Sequence, residues 1–333
     1  MRTLMADPLG IAMLGTTHAH AAGKMEVLKA SPDWRVIGAC EPDVAALAKQ
    51  RTTKPFGDVT WMTREELLSH PGVVAVAVEG DVAGNLALGE AVIAAGKHLH
   101  LDKPAGVDVA GPARLFADAQ RAGLVLQMGY MFRYSPAFCF VREALEKGWL
   151  GDLFFVRGRM STSLSADRRL PLARFPGGMM FELGCHLLDQ VVLLLGAPKE
   201  VQGFLRHDGP FQDDLADNTV AWFSYDHAVA IVETAAMETD PFPVRRFEVY
   251  GAEGSCVIEP LEPPALKVSL KSPPPGHPKG WHTVPLPEYD RYVDDFAELA
   301  ACVRGGKPLP YTPEHDLAVQ TALIRACGGS GNG

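Results

Sequence analysis

A lysine followed by a proline ends an apolar, strand-like segment of this chain. The segment reads Gly96-Lys97-His98-Leu99-His100-Leu101-Asp102-Lys103-Pro104. Proline disfavours helical backbone at the residue before it, so Lys103 should remain extended. In an open parallel sheet, ligands bind in the crevice beyond the carboxyl ends of the strands, where this lysine would point and could exchange a proton. Taken alone, however, the segment favours a surface lysine before a turn.

A second set of polar residues lies within an apolar segment of helical character. Glu182 and His186 are one helical turn apart and Asp189 follows three residues later, so the three share a stripe. Residues 179–181 and 187–195 are strongly apolar, which predicts a buried helix whose polar groups are paired or line a cavity. A paired core carboxylate is the simpler account of Asp189, whereas His186 is the better candidate for chemistry.

The first strand-like run, residues 10–14, leads into a turn that can bind phosphate. The turn reads Gly15-Thr16-Thr17-His18-Ala19-His20, whereas a dinucleotide motif of the Gly-x-Gly-x-x-Gly type would also have glycine at 17 and 20. A helix is predicted to follow, and its free N–H groups and positive end can hold a phosphate whatever the side chains are. The hydroxyls of Thr16 and Thr17 can add hydrogen bonds.

Glu41 ends the second predicted strand, in the window of about 20 residues after the glycine turn. An acidic side chain there can accept hydrogen bonds from both ribose hydroxyls and repel a 2′-phosphate, which favours NAD over NADP. A helix-entry acid before Pro42-Asp43 is an equally good account of this residue alone.

Strands and helices alternate along residues 1–128. Strands are predicted at 10–14, 34–41, 73–78, 98–101 and 124–128, and helices at 19–30, 43–50, 65–69, 85–95 and 109–122. This order predicts an α/β, Rossmann-type, doubly wound parallel sheet, and hence a dinucleotide-binding domain over residues 1–128.

Residues 129–333 are predicted to form an α+β domain for substrate binding and oligomerisation. Strands at 153–160, 201–205, 219–225, 229–235, 245–250 and 255–258 indicate an open, mostly antiparallel sheet. Helices are predicted at 136–147, 180–195, 289–303 and 314–326, and the proline-dense residues 260–287 are expected to form a loop or an edge excursion.

Composition narrows the class of partner. The 333 residues are 47% hydrophobic and 21% charged, as in a globular protein, and the net charge of −9 argues against nucleic acid or an anionic membrane. Small molecules are the expected partners. Six scattered cysteines without a Cys-x-x-Cys pair suggest reduced thiols and a cytoplasmic protein, and we expect neither a targeting segment nor a membrane span.

Taken together, these segments resemble the Gfo/Idh/MocA oxidoreductases. Asp102-Lys103-Pro104 resembles the Glu-Lys-Pro motif of that family, and residues 177–189 resemble its glycine-rich helix with an Asp-x-Gly-x-His core. Residues 129–136, 151–153 and 250–255 are similar to the segment joining the two domains, to the start of the second sheet and to a late turn. The resemblance therefore spans nearly the whole chain.

The resemblance implies NAD(P)-dependent oxidation or reduction at a carbinol carbon of a sugar, an inositol or a related polyol. Lys103 and His186 would be the proton-handling pair, Glu182 stands at the catalytic aspartate, and Tyr130 and Arg133 are expected at the crevice rim in contact with substrate. NAD is the expected cofactor, NADP being second, and a homodimer or homotetramer is expected. The cofactor-binding residues would be Gly15, Thr16, Thr17, His18, His20, Glu41, Gly80, Asn85, Asp102, Lys103 and Pro104.

Departures from the family pattern leave other functions open. Three departures affect the expected cofactor affinity and substrate: the missing glycines, Asp102 in place of glutamate, and Glu182 in place of aspartate. One methylene more or less can displace a carboxylate by about 1 Å. An NAD-dependent glycosidase using transient oxidation, or a regulatory nucleotide-binding protein without turnover, would fit the same residues. No metal site is assigned, although His18, His20, His98, His100, Glu182 and His186 are suitable ligands.

Overall fold

The computed structural model describes residues 7–331. Residues 1–6, part of the N-terminal stretch in which no targeting signal is expected, lie outside this range. The strands β1–β5 span Leu9–Leu14, Trp34–Cys40, Ala75–Val78, His98–Asp102 and Leu126–Gly129. The helices α1–α5 span Ala21–Ala30, Val44–Gln50, Arg64–Ser69, Val82–Ala94 and Ala110–Arg121.

The rest of the chain begins and ends with helices around a long series of strands. The helices α6–α10 span Pro136–Glu146, Ala166–Ala173, Cys185–Leu195, Val293–Val303 and Pro313–Ala326. The strands β6–β13 span Leu153–Arg159, Glu200–Arg206, Asn218–Ser224, Val229–Ala235, Arg246–Gly251, Gly254–Ile258, Leu266–Leu270 and His282–Val284. No helix within residues 7–331 has the length and apolar character needed to cross a bilayer.

The first unit contains a five-stranded parallel sheet in the order β2-β1-β3-β4-β5. Beyond β2, Trp61 makes a single parallel bridge to Ala39, a remnant of a further strand at that edge. The central strand β3 is buried at every residue, as expected for a sheet covered on both faces. The strand order changes direction between β1 and β3, and the predicted doubly wound sheet is confirmed.

The second unit contains an eight-stranded sheet in the order β13-β12-β11-β10-β6-β9-β8-β7. All its neighbouring strands are antiparallel except β6 and β9, which run parallel, so the predicted mostly antiparallel sheet is confirmed. The helix α8 packs on β6 so closely that a Cβ at Gly158 would lie 2.9 Å from a methyl carbon of Leu187.

The structure decides one alternative for the second unit and adds one helix. The proline-dense stretch 260–287, expected as a loop or an edge excursion, contains the strands β12 and β13 at one edge of the sheet, and the alternating Leu266, Val268 and Leu270 of β12 are buried. The helix α7 was not predicted, since it is short and contains Pro171.

The chain returns to its first unit near the C-terminus. That unit comprises the described part of Met1–Gly106 together with Ala110–Tyr130 and Asp290–Pro313, and the remaining residues form the second unit. The returning segment contains α9. The indole Nε1 of Trp34 donates a hydrogen bond to the carbonyl of Phe296 in α9 at 2.8 Å. The predicted domain boundary between residues 128 and 129 does not account for this returning segment. A contact between residues 262 positions apart leaves no local pattern in the sequence from which it could be predicted.

Candidate active site

The turn between β1 and α1 is built on Gly15. Its φ of +78° is a conformation that favours glycine, and a Cβ there would lie 2.5 Å from the Cα of Gly80. The helix α1 then begins after His20 with no side-chain cap and no acidic residue in its first turn. Its N-terminal N–H groups therefore meet no carboxylate of their own turn that would compete with a phosphate.

Asn85 lies in the first turn of α4 and is fully buried. Its amide oxygen faces Gly80, at 3.0 Å from the position that a Cβ of this glycine would occupy. Neither the oxygen nor the nitrogen of this amide has a hydrogen-bond partner among residues 7–331. A buried amide without a partner is costly, so a bound ligand accounts for it well. The glycine turn and this amide fit a dinucleotide such as NAD.

Glu41 follows β2 and contacts the same turn. Its Oε2 accepts hydrogen bonds from the backbone N–H of Thr16 at 2.6 Å and from the Thr16 hydroxyl at 2.8 Å, and its Oε1 accepts from Asp43 N at 3.0 Å. The side chain borders a cavity of about 560 Å³ that Arg51 and Arg64 also line. Oε2 already accepts two hydrogen bonds, but Oε1 accepts one from Asp43 and has a second lone pair, so Glu41 can brace the turn and still accept a ribose hydroxyl at Oε1.

A buried group of charges lies at the carboxyl ends of β3 and β4. The Nζ of Lys24 donates to Oε1 of Glu79 and to Oδ1 of Asp102, each at 2.7 Å, and all three side chains have no exposed surface. Burial alone would lower the pKa of Lys24, but the two carboxylates outweigh burial and raise it. Burial raises the pKa of Glu79 to about 8 despite the ammonium beside it.

The sequence analysis did not identify Lys24 or Glu79. A signal for Lys24 was present, because the buried positions of α1 are Ala21, Lys24, Met25 and Leu28, and a lysine interrupts an otherwise apolar stripe. Glu79 directly follows the buried strand β3.

Three imidazoles surround these carboxylates. The Nδ1 of His18 lies 2.6 Å from Oδ2 of Asp102, and the Nδ1 of His20 lies 3.1 Å from Oδ1. His100 places its Nε2 at 3.7 Å from Glu79 Oε1 and its Nδ1 at 2.8 Å from the Gln127 side-chain oxygen. Burial lowers the pKa of His20 and of His100 to about 3, so both rings are neutral at pH 7.

Tyr292 closes this group from α9. It is the non-glycine residue with positive φ, 71°, in the described chain, and its ring centre lies 5.5 Å from the Nζ of Lys24. A left-handed tyrosine is costly and persists where its surroundings require it, so the ring is held over the buried ammonium.

Lys103 directly follows β4 and is fully buried, as is Asp102. Its charge acts on His20 and on Glu79, so it belongs to the same electrostatic environment. The surface position that the segment alone favoured is therefore wrong. Tyr130, just after β5, is 1% exposed, and Pro104 is buried after Lys103.

The segment that carries Glu182 and His186 begins with one wide helical turn. Met180–Gly184 is π-helical and continues into α8, where a regular α-helix was expected. Such turns occur frequently at functional sites. Glu182 is half-buried and His186 is 1% exposed, with its ring 6.0 Å from that of Phe132 in an edge-on contact.

Arg133 is buried rather than placed at a rim. Its guanidinium donates from Nε and Nη2 to Asp189, the Nη2 contact being 2.7 Å, and Nη2 also bonds Asp316. His315 lies 3.0 Å from Asp189. Although burial opposes it, the charge of Arg133 holds the pKa of Asp189 at about 2. The paired core carboxylate expected for Asp189 is what the structure contains.

Comparison with known proteins gives a consistent picture. Residues 9–130 match the model described as "Oxidoreductase family, NAD-binding Rossmann fold", and residues 138–257 match the GFO/IDH/MocA C-terminal domain. The chain is 28% identical to dTDP-3,4-didehydro-2,6-dideoxy-alpha-D-glucose 3-reductase of Streptomyces violaceoruber, over 75% of this chain and 72% of that protein. It is 24% identical to scyllo-inositol 2-dehydrogenase (NAD(+)) of Bacillus subtilis, over 90% of this chain and 86% of that protein.

A solved structure shares the fold. GenD2 from gentamicin A biosynthesis, in complex with NAD, superposes with a TM-score of 0.79 at 24% identity, covering 98% of this chain and 96% of that chain. The two family models together cover most of the chain, and the site residues fit the cofactor that the first model names. The chain belongs to the Gfo/Idh/MocA family of oxidoreductases and carries its NAD-binding Rossmann domain.

Proposed function

We propose that this oxidoreductase transfers a hydride between NAD and a carbinol carbon of a sugar, an inositol or a related polyol. The observation that carries the proposal is Lys103, a fully buried lysine that directly follows β4 of the NAD-binding sheet. A buried amine in such a position is suited to proton exchange with a bound molecule. The names of the sugar and inositol relatives support the substrate class.

In this proposal the β1–α1 turn, with Gly15, Thr16 and Thr17, holds the pyrophosphate of the cofactor. Asn85 supplies an amide that has no hydrogen-bond partner among residues 7–331. NAD, when bound, supplies the acceptor or donor of the hydride. The residues of this chain bind and orient the cofactor and the substrate, and they move a proton.

Oxidation of a carbinol also releases a proton, which a base of near-neutral pKa removes best. Lys103 or His186 is the proposed base, and the choice between them stays open. We assign Glu182 to the same reaction, and Tyr130 to substrate contact. For Arg133 the proposed role is positioning, since it holds Asp189 three residues after His186 on α8.

NAD is proposed over NADP because Glu41 places a carboxylate beside the cavity after β2. The variant Glu41→Gln keeps one oxygen for Thr16 but removes the charge. We expect it to lower the ratio of NAD to NADP affinity by about tenfold, measured by calorimetry. An unchanged ratio would show that Glu41 does not select the cofactor.

The activity itself is tested by incubating the protein with NAD and a panel of sugars, inositols and polyols while recording NADH absorbance. Turnover with at least one substrate, abolished in Lys103→Ala and retained in the exposed control Lys49→Ala, is the expected result. Release of sugar without NADH accumulation would indicate an NAD-dependent glycosidase. Cofactor binding without exchange of substrate hydrogen would indicate a regulatory protein.

We also propose a homodimer or homotetramer that works in the cytoplasm. The outer face of the eight-stranded sheet supports self-association, and the six free cysteines suit a reducing compartment. Cell fractionation tests the compartment.

A further inference from the structure

We propose that His18, His20 and Asp102 form a binding site for a divalent transition-metal ion such as Zn²⁺. Two imidazole nitrogens and a carboxylate oxygen are a donor set that Zn²⁺ uses, and three protein ligands leave a position for water. The inference concerns these side chains alone and does not depend on the reaction proposed above.

The donor atoms are already gathered. One atom from each of the three residues lies within 4.8 Å of the other two. Asp102 is rigidly placed at the end of β4, fully buried, while the side chains of His18 and His20 are 8% and 13% exposed. The site therefore has a fully buried carboxylate and two imidazoles that retain a small exposed surface.

His18 and His20 both contact the carboxylate of Asp102. Oδ2 of Asp102 lies 2.6 Å from the Nδ1 of His18, and Oδ1 lies 3.1 Å from the Nδ1 of His20. These are hydrogen-bonding contacts between the rings and the carboxylate. A divalent ion at this position would replace the protons between the rings and the carboxylate, because metal ligands bind in their deprotonated form.

The neighbouring charges leave one oxygen for an ion. Lys24 donates to Oδ1 of Asp102 and to Oε1 of Glu79, so the ammonium makes no hydrogen bond to Oδ2 of Asp102. A ligating carboxylate whose second oxygen accepts a hydrogen bond is the usual outer-shell arrangement at metal sites.

A comparable group in the second unit shows what a blocked site looks like. Asp189, His315 and Asp316 also bring donor atoms within 4.8 Å of one another. There, however, Arg133 bonds both oxygens of Asp189 and also Asp316, so a cation of the protein already fills the position. At Asp102 the ammonium takes Oδ1 only.

Zinc binding is tested on the full chain without a polyhistidine tag, after chelator treatment and in buffer without NAD. Calorimetry with Zn²⁺ should give one ion per chain, and His18→Ala and His20→Ala should each weaken binding by about tenfold or more. The matched control is His227→Ala, an exposed imidazole of the second unit, which should bind like wild type.

Wild-type protein provides a second measurement in case the variants do not fold. Zn²⁺ should protect His18 and His20, but not His227, from modification by diethylpyrocarbonate, as read by mass spectrometry. Failure of this protection, or full zinc affinity in folded His18→Ala and His20→Ala, overturns the proposal. Neither measurement uses NAD or substrate, so a negative result leaves the proposed hydride transfer standing.

Discussion

At the scale of single residues, Lys24 governs the charges next to Lys103. It is the donor to both Glu79 and Asp102, and without it the two buried carboxyl groups would face each other with no ammonium between them. Removing one partner of a buried ion pair costs far more than the pair contributes, because it leaves an uncompensated charge.

We therefore expect Lys24→Met to lower the free energy of unfolding by about 3–5 kcal/mol. Urea titration followed by circular dichroism measures this loss. The exposed Lys49→Met is the control and should change stability by less than about 0.5 kcal/mol. A double variant that adds Glu79→Gln should recover part of the loss, and a small effect of Lys24→Met would show that the carboxylates do not need its charge.

Asp189 makes stability depend on pH in the acid range. Its pKa is about 2 in the folded chain and about 3.9 when unfolded, so the folded state favours the ionised form. The stabilisation is complete above the unfolded pKa and disappears as pH falls from about 4 towards 2, a loss of about 2–3 kcal/mol. Asp316, whose pKa burial raises, has the opposite sign and does not produce this loss.

The measurement is urea unfolding between pH 6 and pH 2.5 for wild type and for Asp189→Asn. The variant should start less stable and lose less stability over this interval, whereas Asp214→Asn, at an exposed position, should follow wild type. Parallel curves for wild type and Asp189→Asn would assign the acid sensitivity to other groups.

At the scale of elements, the β1–α1 turn joins the sheet to the proposed phosphate site. Gly15 has a left-handed backbone and no space for a side chain, because the backbone of Gly80 lies against it. The turn is braced from β2 by Glu41 and from α2 by Gln50, whose amide donates to the Thr16 carbonyl at 2.9 Å.

We expect Gly15→Ala to destabilise the protein by more than about 1 kcal/mol and to weaken NAD binding, since the turn must shift. Gly84→Ala is the matched control, because that helical glycine has open space around its Cβ position and alanine there should add up to about 1 kcal/mol of stability. Thermal unfolding and calorimetry with NAD measure both effects. Unweakened NAD binding in folded Gly15→Ala would remove this turn from the cofactor site.

At the scale of the whole molecule, the outer face of the eight-stranded sheet is broad and partly apolar. Trp222 on β8 lies opposite Ile231 on β9 in the strand register, and both side chains are half-buried on this face. Beside them, Arg157 pairs with Glu233 at 2.7 Å. A face that carries apolar groups and both signs of charge can meet a second copy of itself across a two-fold axis.

The double variant Trp222→Arg, Ile231→Glu should therefore convert the proposed oligomer to a monomer, measured by light scattering coupled to gel filtration. Val44→Arg is the control, since Val44 is 81% exposed in the first unit and should leave the mass unchanged. A wild-type monomer, or an oligomer that survives the double variant, would contradict the use of this face.

The sequence by itself determined the order of most elements, both sheet types and the family. Local sequence patterns indicate these features, for example the apolar runs of β1 to β4, the glycine after β1 and the residues around Lys103 and His186. The same local patterns did not predict α7, and they left residues 260–287 as either a loop or an edge excursion, because proline obscured the periodicity of β12 and β13.

Only the tertiary structure decided which charges meet. Lys24 and Asp102 are 78 positions apart, Thr16 and Glu41 are 25 apart, and the segment 290–313 returns to a sheet formed by the first third of the chain. Periodicity reports which face of an element is buried, but it does not specify which buried faces come together. The partners of Asp102, and with them the proposed metal site, follow from strand order and from the path of the β1–α1 turn.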